Sequence, residues 1–249
     1  EMCIRDRPGL ADWAAEQFAH ADALIFVGAV GIAVRAIAPH CRSKAVDPAV
    51  VVLDECGHFA VPILSGHLGG ANDLARALAA VCGAVPVITT ATDANGVFAV
   101  DAWARHQNCA VLEPERIKLV SGKLLAGQPV YYRTDFPVTG TVPAGLLPAD
   151  TPEKADFALT LCPTGQALHL VPRIGVLGIG CKRGTSAETL EVAFAAFCTR
   201  HSLAAQAVTA AASIDLKQNE PGLLAFCQAR GWPVRFYSCL LYTSDAADE

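Results

Sequence analysis

The sequence predicts an α/β protein with two domains, each a largely parallel sheet flanked by helices. Over residues 8–133, short apolar runs typical of buried strands alternate with segments of helical periodicity. Such alternation is the pattern of a parallel sheet covered by helices. Residues 134–165 lose the pattern and are rich in Pro, Gly and Thr, which indicates a linker or middle region. The alternation returns over residues 166–238, which are predicted to form the second domain.

Apolar spacing and turn residues define the elements of the first domain. Two apolar strands flank the five-residue turn DECGH at 54–58, so they are predicted to pair as a hairpin. The predicted order is a helix from about residue 10, a strand at 23–27, a helix at 30–38, the hairpin strands at 50–53 and 59–63, a helix at 70–82, a strand at 85–88, a helix at 100–106, a strand at 109–112, a helix at 114–126 and a strand at 129–132.

Short strands and two helices are predicted in the C-terminal half. Thr185 and Glu188 have the spacing of a capping box at the start of a helix over 186–200. Pro221 suits the first turn of the next helix, and Gly231 suits its end. Strands are predicted at 158–161, 168–171, 174–177, 206–211 and 234–237.

Composition argues against two classes of partner. The chain has a formal net charge of −5 and 17% charged residues, with its Lys and Arg scattered, which argues against nucleic acid. Its longest apolar run, Ala23–Val34, has 12 residues, whereas a membrane-spanning helix needs roughly 20. The sequence therefore predicts no association with nucleic acid or membranes.

The cysteines are predicted to be mostly buried free thiols in a reducing cytoplasm. The chain has 10 of them, widely spread, without a C-x-x-C motif or Cys/His pairs at zinc spacing. No protein-bound metal is therefore predicted. Cys181 is the exception to watch for reactivity, because it lies in a glycine-rich loop.

Both ends of the chain look like translated sequencing-adapter DNA. The segments are EMCIRDR at 1–7 and CLLYTSDAADE at 239–249, and the second can be back-translated into a transposase end sequence. We expect both to contribute little to any core. On this interpretation residues 8–238 are an internal piece of a longer gene, and a natural flexible tail is the alternative.

The strongest functional signal is a pair of polar loops that each follow an apolar strand. The segments are SGHLGGAND at 65–73 and TTATDANG at 89–96. Parallel strands deliver such loops to a ligand crevice, so the two loops are expected to be neighbours. Glycines at a helix start allow close approach of a ligand, and free N–H groups there attract anionic oxygens. The predicted binding residues in these loops are Ser65, Gly66, Gly69, Gly70, Thr90 and Asn95.

His67 and Asp93 are the predicted catalytic pair. His67 is the one group in its loop whose charge changes near neutral pH. Asp93, on the second loop, could orient the imidazole or stabilise its protonated form. The alternative is that His67 bonds a backbone carbonyl and only shapes the turn.

A further glycine-rich loop, GIGCKRGTS at 178–186, fits neither the P-loop nor the dinucleotide fingerprint. Gly180, with Lys182 and Arg183 at a helix start, suits a carboxylate or phosphate ligand. A capped helix with solvated basic residues fits equally well. Gly28 and Arg35, after the first strand, are weaker candidates, with Arg35 either clamping a carboxylate or serving as a surface charge.

These motifs, taken as a set, carry a family resemblance. GAVGIAVRAIAPH at 28–40, DPAVVVLDECG at 47–57 and the two polar loops resemble the N-terminal domain of the CbiG family, cobalt-precorrin-5A hydrolase. GIGCKRGTS and SIDLKQNEPGL, at 213–223, resemble that family's C-terminal domain. The resemblance covers nearly all of residues 8–238. Compared with the family, the opening strand and helix and the last third of the C-terminal domain are expected to be missing.

The resemblance implies a hydrolase of anaerobic cobalamin biosynthesis that acts on a carbon–carbon bond. Such enzymes open the ring-A lactone of the cobalt-corrinoid substrate cobalt-precorrin-5A and release acetaldehyde to give cobalt-precorrin-5B. Cobalt arrives with the substrate, so no cofactor is implied. Fusion or association with other enzymes of the pathway stays open. So do two other functions: a non-catalytic corrinoid-binding protein, and a nucleotide- or sugar-binding protein, which the failed phosphate fingerprints disfavour.

Overall fold

The structure, a computed structural model, describes residues 9–238. The predicted fold class is confirmed, because helices alternate with strands whose pairing is mostly parallel. The helices are α1 Leu10–His20, α2 Val30–Ile37, α3 Ala71–Cys82, α4 Ala91–Ala94, α5 Val100–His106, α6 Ile117–Leu125, α7 Ala187–His201 and α8 Pro221–Ala229. The strands are β1 Ala23–Val27, β2 Ala49–Leu53, β3 Phe59–Leu64, β4 Val85–Pro86, β5 Cys109–Val111, β6 Val130–Thr134, β7 Leu146–Pro148, β8 Phe157–Leu159, β9 Leu168–Pro172, β10 Gly175–Gly178, β11 Val208–Ile214 and β12 Val234–Tyr237.

The described residues form two compact units. The first runs to His106 and also includes Pro114–Val130 and Pro143–Gly145. The second consists of Gln107–Glu113, Tyr131–Val142 and the residues from Leu146 onward. The chain therefore passes between the units several times before it settles in the second.

The first unit contains a sheet with the strand order β1-β2-β3-β4. The predicted hairpin is confirmed, since β2 and β3 pair antiparallel. Strand β2 reads AVVVL, a continuous apolar run typical of a strand covered on both faces. Val50 and Val52 pack beneath α1 and α2, whereas Val51 packs against α3.

Strand direction decides which loops of this sheet can meet. Strands β1 and β2 are parallel, and β3 and β4 run in the opposite direction. The loops after β3 and β4 therefore leave the sheet at the same end, which confirms that the two polar loops lie together. Gly28, directly after β1, lies at the opposite end with the hairpin turn at 54–58.

The second unit contains a five-stranded sheet, β5-β9-β8-β6-β7, and a parallel three-stranded sheet, β10-β11-β12. Strand β5 lies in the sequence between α5 and α6 of the first unit but pairs antiparallel with β9. Two short strands, β7 and β8, lie inside the proline-rich residues 134–165. Hydrophobic periodicity and proline content indicate where a strand lies but not which strand it pairs with. The pairing of β5 with β9, and the places of β7 and β8 in the sheet, could therefore not be predicted from the sequence.

Helices α7 and α8 pack beside each other over the three-stranded sheet. The N-cap of α7 is Ser186, whose side chain accepts a hydrogen bond from the Thr189 N–H at 3.2 Å. The predicted cap at Thr185 is therefore wrong by one residue, because the Thr185 hydroxyl donates instead to the Lys182 carbonyl. Competition between neighbouring Ser and Thr side chains explains the shift.

The sequence also led to predictions about the two chain ends and about membrane-spanning helices. The adapter-like segments 1–7 and 239–249 fall outside the described residues. Among residues 9–238, none of the helices is both long and apolar enough to cross a bilayer.

Candidate active site

The turn between β3 and α3 is tight, and it is held by a buried hydrogen bond and by close packing. Ser65 adopts a left-handed conformation, with φ of 53°, and its buried hydroxyl donates to the Asp47 carbonyl at 2.9 Å. Gly70 also has positive φ, 86°, at the N-cap of α3. A Cβ on Gly69 would lie 2.5 Å from the Ser65 Cβ, so only glycine fits there.

The first amides of α3 already have partners within this turn. The N–H groups of Gly70, Ala71 and Asn72 donate to the carbonyls of His67, Ser65 and Gly66, at 3.0, 3.1 and 2.9 Å. The expectation that Gly70 offers a free N–H to an anion is therefore wrong. Here the glycines act by allowing the chain to fold tightly on itself.

His67 bridges two carboxylates. Its Nε2 lies 2.6 Å from Asp93 Oδ2, on the loop after β4, and its Nδ1 lies 3.1 Å from Asp101 Oδ1, in the first turn of α5. The side chains of His67 and Asp101 are only 13% and 9% exposed. Three separate segments of the first unit therefore converge on one imidazole.

This geometry favours the doubly protonated form of His67. Carboxylates accept hydrogen bonds, so each ring nitrogen must carry a hydrogen to bond both partners. The hydrogen bond to Asp101 is the main cause that raises the pKa of His67 above its ordinary value of 6.5; burial opposes the rise, and Asp93 adds to it. The two carboxylates therefore stabilise the imidazolium form from both sides of the ring.

Asp93 is the hub that joins the two predicted loops. Besides His67, its carboxylate accepts hydrogen bonds from Thr90 Oγ1 at 2.5 Å, Asn72 Nδ2 at 3.1 Å and Arg76 at 2.5 Å. Burial opposes ionisation of Asp93, but the bonds from Thr90, His67 and Arg76 outweigh it and hold its pKa well below the usual range. Asp93 is therefore a firmly ionised anchor.

Asp101 was missed by sequence reasoning. Burial opposes its ionisation too, but the bond and charge of His67 outweigh burial and lower its pKa. Acidic residues are common in the first turn of a helix, where they interact favourably with the helix dipole. The local sequence therefore does not distinguish Asp101 from such residues. Asn72 and Arg76 were also missed, although Asn72 lies within the SGHLGGAND motif.

The other predicted residues of the first unit lie outside this network. Asn95 Nδ2 donates to the Ala91 carbonyl at 2.8 Å, a local bond within the turn. Gly28 donates its N–H to the Leu53 carbonyl at the other end of the sheet. Arg35 is exposed in the last turn of α2. In the described part of the chain, none of the three shares a hydrogen bond with His67.

The second unit presents the predicted basic loop at the carboxyl end of β10. Lys182, Arg183 and Gly180 are exposed there. The loop is anchored below them, because the Gly184 N–H donates to the buried Glu220 carboxylate at 2.5 Å. Exposed cations on a fixed turn suit an anionic ligand.

Two family models match this chain, one in each half of the sequence. A family model described as cobalamin synthesis G N-terminal matches residues 12–93, and one described as cobalamin synthesis G C-terminus matches residues 175–240. The chain belongs to the cobalamin synthesis G (CbiG) family. The first match contains His67 and Asp93, whereas Asp101 lies just beyond it. The predicted family is thus confirmed in both parts of the chain.

Two curated members of the family are similar over most of this chain. Cobalt-precorrin-5A hydrolase from Salmonella typhimurium is 37% identical over 245 residues, covering 92% of this chain and 70% of that protein. Cobalt-precorrin-5A hydrolase from Priestia megaterium is 31% identical over 237 residues, covering 86% of this chain. The chain spans 63% of the length of the Priestia protein.

A solved structure was also matched. It is described as a cobalamin biosynthesis protein G homologue from Sulfolobus solfataricus and is 22% identical, with a TM-score of 0.41. The match covers 87% of this chain and 65% of the Sulfolobus chain.

Proposed function

We propose that this chain hydrolyses cobalt-precorrin-5A in cobalamin biosynthesis, opening the ring-A lactone and releasing acetaldehyde to give cobalt-precorrin-5B. Membership of the CbiG family supports the pathway, and the names of the two curated relatives support a hydrolase. The observation that carries the chemistry is His67, held between Asp93 and Asp101 where two loops meet. Cobalt enters as part of the substrate, and the proposal needs no cofactor bound to the protein.

The proposed reaction breaks two bonds in turn. Water adds to the lactone carbonyl carbon and its protons pass to solvent; the ring C–O bond breaks and the leaving oxygen takes up a proton, which leaves a carboxylate and a hydroxyl group. That hydroxyl then loses its proton, the C–C bond to the macrocycle breaks with its electron pair left on the macrocycle, and acetaldehyde departs. A proton returns to the macrocycle carbon. The first stage needs a proton donor for the leaving oxygen, and the second needs a base.

His67 is suited to both stages in sequence. Its imidazolium donates the Nε2 proton to the leaving lactone oxygen, and the neutral ring then accepts the proton of the freed hydroxyl. Positive charge on the ring also stabilises the oxyanion that forms when water adds to the lactone. The pKa of His67 is raised above its ordinary value, chiefly by the hydrogen bond to Asp101, which favours the proton-bearing ring that the first stage needs.

The two carboxylates have different parts in this proposal. Asp101 stays on Nδ1 and fixes the ring orientation, since it is the more buried of the two. The hydrogen bond between Asp93 and His67 Nε2 breaks when the substrate binds, so that Nε2 can bond the substrate instead. Thr90, Asn72 and Arg76 still donate to Asp93 after that bond breaks, so its charge is not left unpaired.

Lys182 and Arg183 supply a second part of the proposal. Corrinoid precursors are fringed with carboxylates, and these exposed cations on a fixed turn can bind such groups by charge-assisted hydrogen bonds. In this proposal they bind carboxylates of the corrinoid on the second unit and take no part in the proton transfers.

The competing function is corrinoid binding without catalysis. It is favoured by one observation: both nitrogens of His67 are engaged by carboxylates, which would also be expected of a purely structural link between two loops. The two functions give different products, because a binding protein returns its ligand unchanged.

Incubation of the full 249-residue chain with cobalt-precorrin-5A separates the two functions. We expect acetaldehyde to form in step with loss of the lactone, and a corrinoid absorbance change to report binding. The Salmonella relative, assayed in parallel, verifies the substrate and the detection. Binding without acetaldehyde would establish the binding protein, and absence of binding would contradict both functions.

A further inference from the structure

The hairpin turn between β2 and β3 brings together three different metal-ligating side chains. Asp54, Cys56 and His58 each offer one ligand atom, and these atoms all lie within 4.8 Å of one another. Among residues 9–238, this is the one group of three or more His, Cys, Asp or Glu ligand atoms that converges in this way. Sequence reasoning passed over it because it searched for paired Cys and His at zinc-finger spacing.

The separations are close to those of a metal-bound set. His58 Nδ1 lies 3.9 Å from Asp54 Oδ2. Bonds of about 2.0–2.3 Å to a tetrahedral zinc ion place neighbouring ligand atoms roughly 3.3–3.7 Å apart. Side-chain rotations that move each ligand atom by less than roughly 1 Å would therefore bring the three atoms to metal-binding distances without any movement of the backbone.

The backbone of the turn is fixed before any ion binds. Asp54 Oδ1 accepts the Phe59 N–H at 2.5 Å, and Oδ2 accepts the Cys56 N–H at 3.2 Å. Gly57 has φ of 71°, which lets the chain reverse between Cys56 and His58. These bonds leave lone pairs on Oδ2 for a cation. A preorganised turn means that binding orders only the side chains of Cys56 and His58.

The ligand atoms indicate which cation fits. A thiolate and an imidazole with a single carboxylate suit borderline metals such as Zn²⁺, whereas Mg²⁺ and Ca²⁺ prefer oxygen alone. Cys56 and His58 are exposed, with the His58 side chain 71% accessible, so an ion can reach them and a water can fill the fourth position. The His58 ring also makes an edge contact with Phe59, with ring centroids 6.3 Å apart.

We propose that Asp54, Cys56 and His58 form a binding site for one borderline divalent metal ion, with Zn²⁺ as the natural fit, at the β2–β3 turn. The site is separate from the proposed hydrolase chemistry, since the turn and His67 lie at opposite ends of the same sheet. A metal bound there would stabilise the β2–β3 hairpin, whose second strand leads to the loop that contains His67. It takes no part in the reaction.

Titration of the reduced, metal-free full chain with Co²⁺ tests the site directly. A thiolate bound to Co²⁺ gives a charge-transfer band in the near ultraviolet, and Zn²⁺ should abolish that band by displacing the cobalt. We expect Cys56→Ser to lose the band and His58→Gln to weaken binding by at least about tenfold, the lower end of the loss seen when even outer-shell partners are removed.

Cys41→Ser is the matched control, because Cys41 is another exposed thiol of the first unit that belongs to no such group among the described residues. It should bind Co²⁺ like the wild type. Zn²⁺ should also slow alkylation of Cys56 and leave alkylation of Cys41 unchanged, as read by peptide mass spectrometry. Equal titration of wild type and Cys56→Ser, or equal alkylation rates with and without Zn²⁺, would overturn the proposal. Acetaldehyde release is not part of either measurement, so this test stands apart from that of the hydrolase.

Discussion

The two glycine-rich loops, 65–70 in the first unit and 178–184 in the second, differ in where their polar groups go. In the first, the amides that open α3 donate to carbonyls of the loop itself, and the His67 side chain bonds Asp93. In the second, the backbone is anchored through Gly184 to Glu220 while Lys182 and Arg183 face solvent. Similar composition therefore gives one site that holds a proton in place and another that attracts negative charge.

The largest expected effect is the loss of turnover when His67, the proposed acid–base group of the first loop, is removed. His67→Ala should lower turnover of cobalt-precorrin-5A roughly 10²–10⁴-fold, the range for loss of one general acid–base group. Steady-state acetaldehyde release measures it, and circular dichroism checks the fold. Near-normal release from a folded variant would show that the first loop is only a structural link.

Asp101→Asn should have the next largest effect, at about 10²-fold in turnover, because a misplaced ring loses its alignment with the substrate. Asp101 is a positioning residue, so the pH dependence of turnover is the measurement that distinguishes this role from a purely structural one. Since Asp101 is the main cause of the raised pKa of His67, the variant should shift the limb assigned to His67 toward lower pH. An unchanged profile, with turnover reduced, would indicate a merely structural residue.

Substitution of glycine should distinguish the loops by stability. Gly69→Ala puts a Cβ 2.5 Å from that of Ser65, and we expect it to lower the free energy of unfolding by about 1–3 kcal/mol, as overpacking does. Gly180→Ala is the matched control, because nothing lies within 4 Å of its Cβ position, and it should stay within about 0.5 kcal/mol. Chemical denaturation compares them. Equal losses would contradict the contrast drawn between the loops.

Removal of the exposed cations should have the smallest effect. Lys182→Ala and Arg183→Ala should each raise KM about 1.4- to fivefold with kcat unchanged, since single exposed ion pairs contribute roughly 0.2–1 kcal/mol. The loss should shrink with added salt because exposed charges are screened. A fall in kcat alone would place these residues in the chemistry and remove the distinction between the two loops.

The sequence predicts local features well and distant partners poorly. The DECGH turn and its apolar flanks gave the β2–β3 hairpin, and two polar loops after neighbouring strands gave the His67–Asp93 contact. Asp101 could not be found in this way, because only the packing of α5 brings it to His67. The free amide expected at Gly70 failed for a similar reason: the turn folds back and supplies its own acceptor.

The central claim is that His67 is an imidazolium shared by two carboxylates, and nitrogen NMR of the histidine rings tests it most directly. His67→Gln assigns the signal, and the full chain is titrated across neutral pH. A raised pKa in the folded state means that the ion pairs stabilise the protein most below the ordinary value of 6.5 and that this stability is lost as pH rises through the folded value. We predict protons on both ring nitrogens at pH 7 and a midpoint above 6.5, lowered by Asp101→Asn. A neutral ring with a single tautomer at that pH would contradict the account.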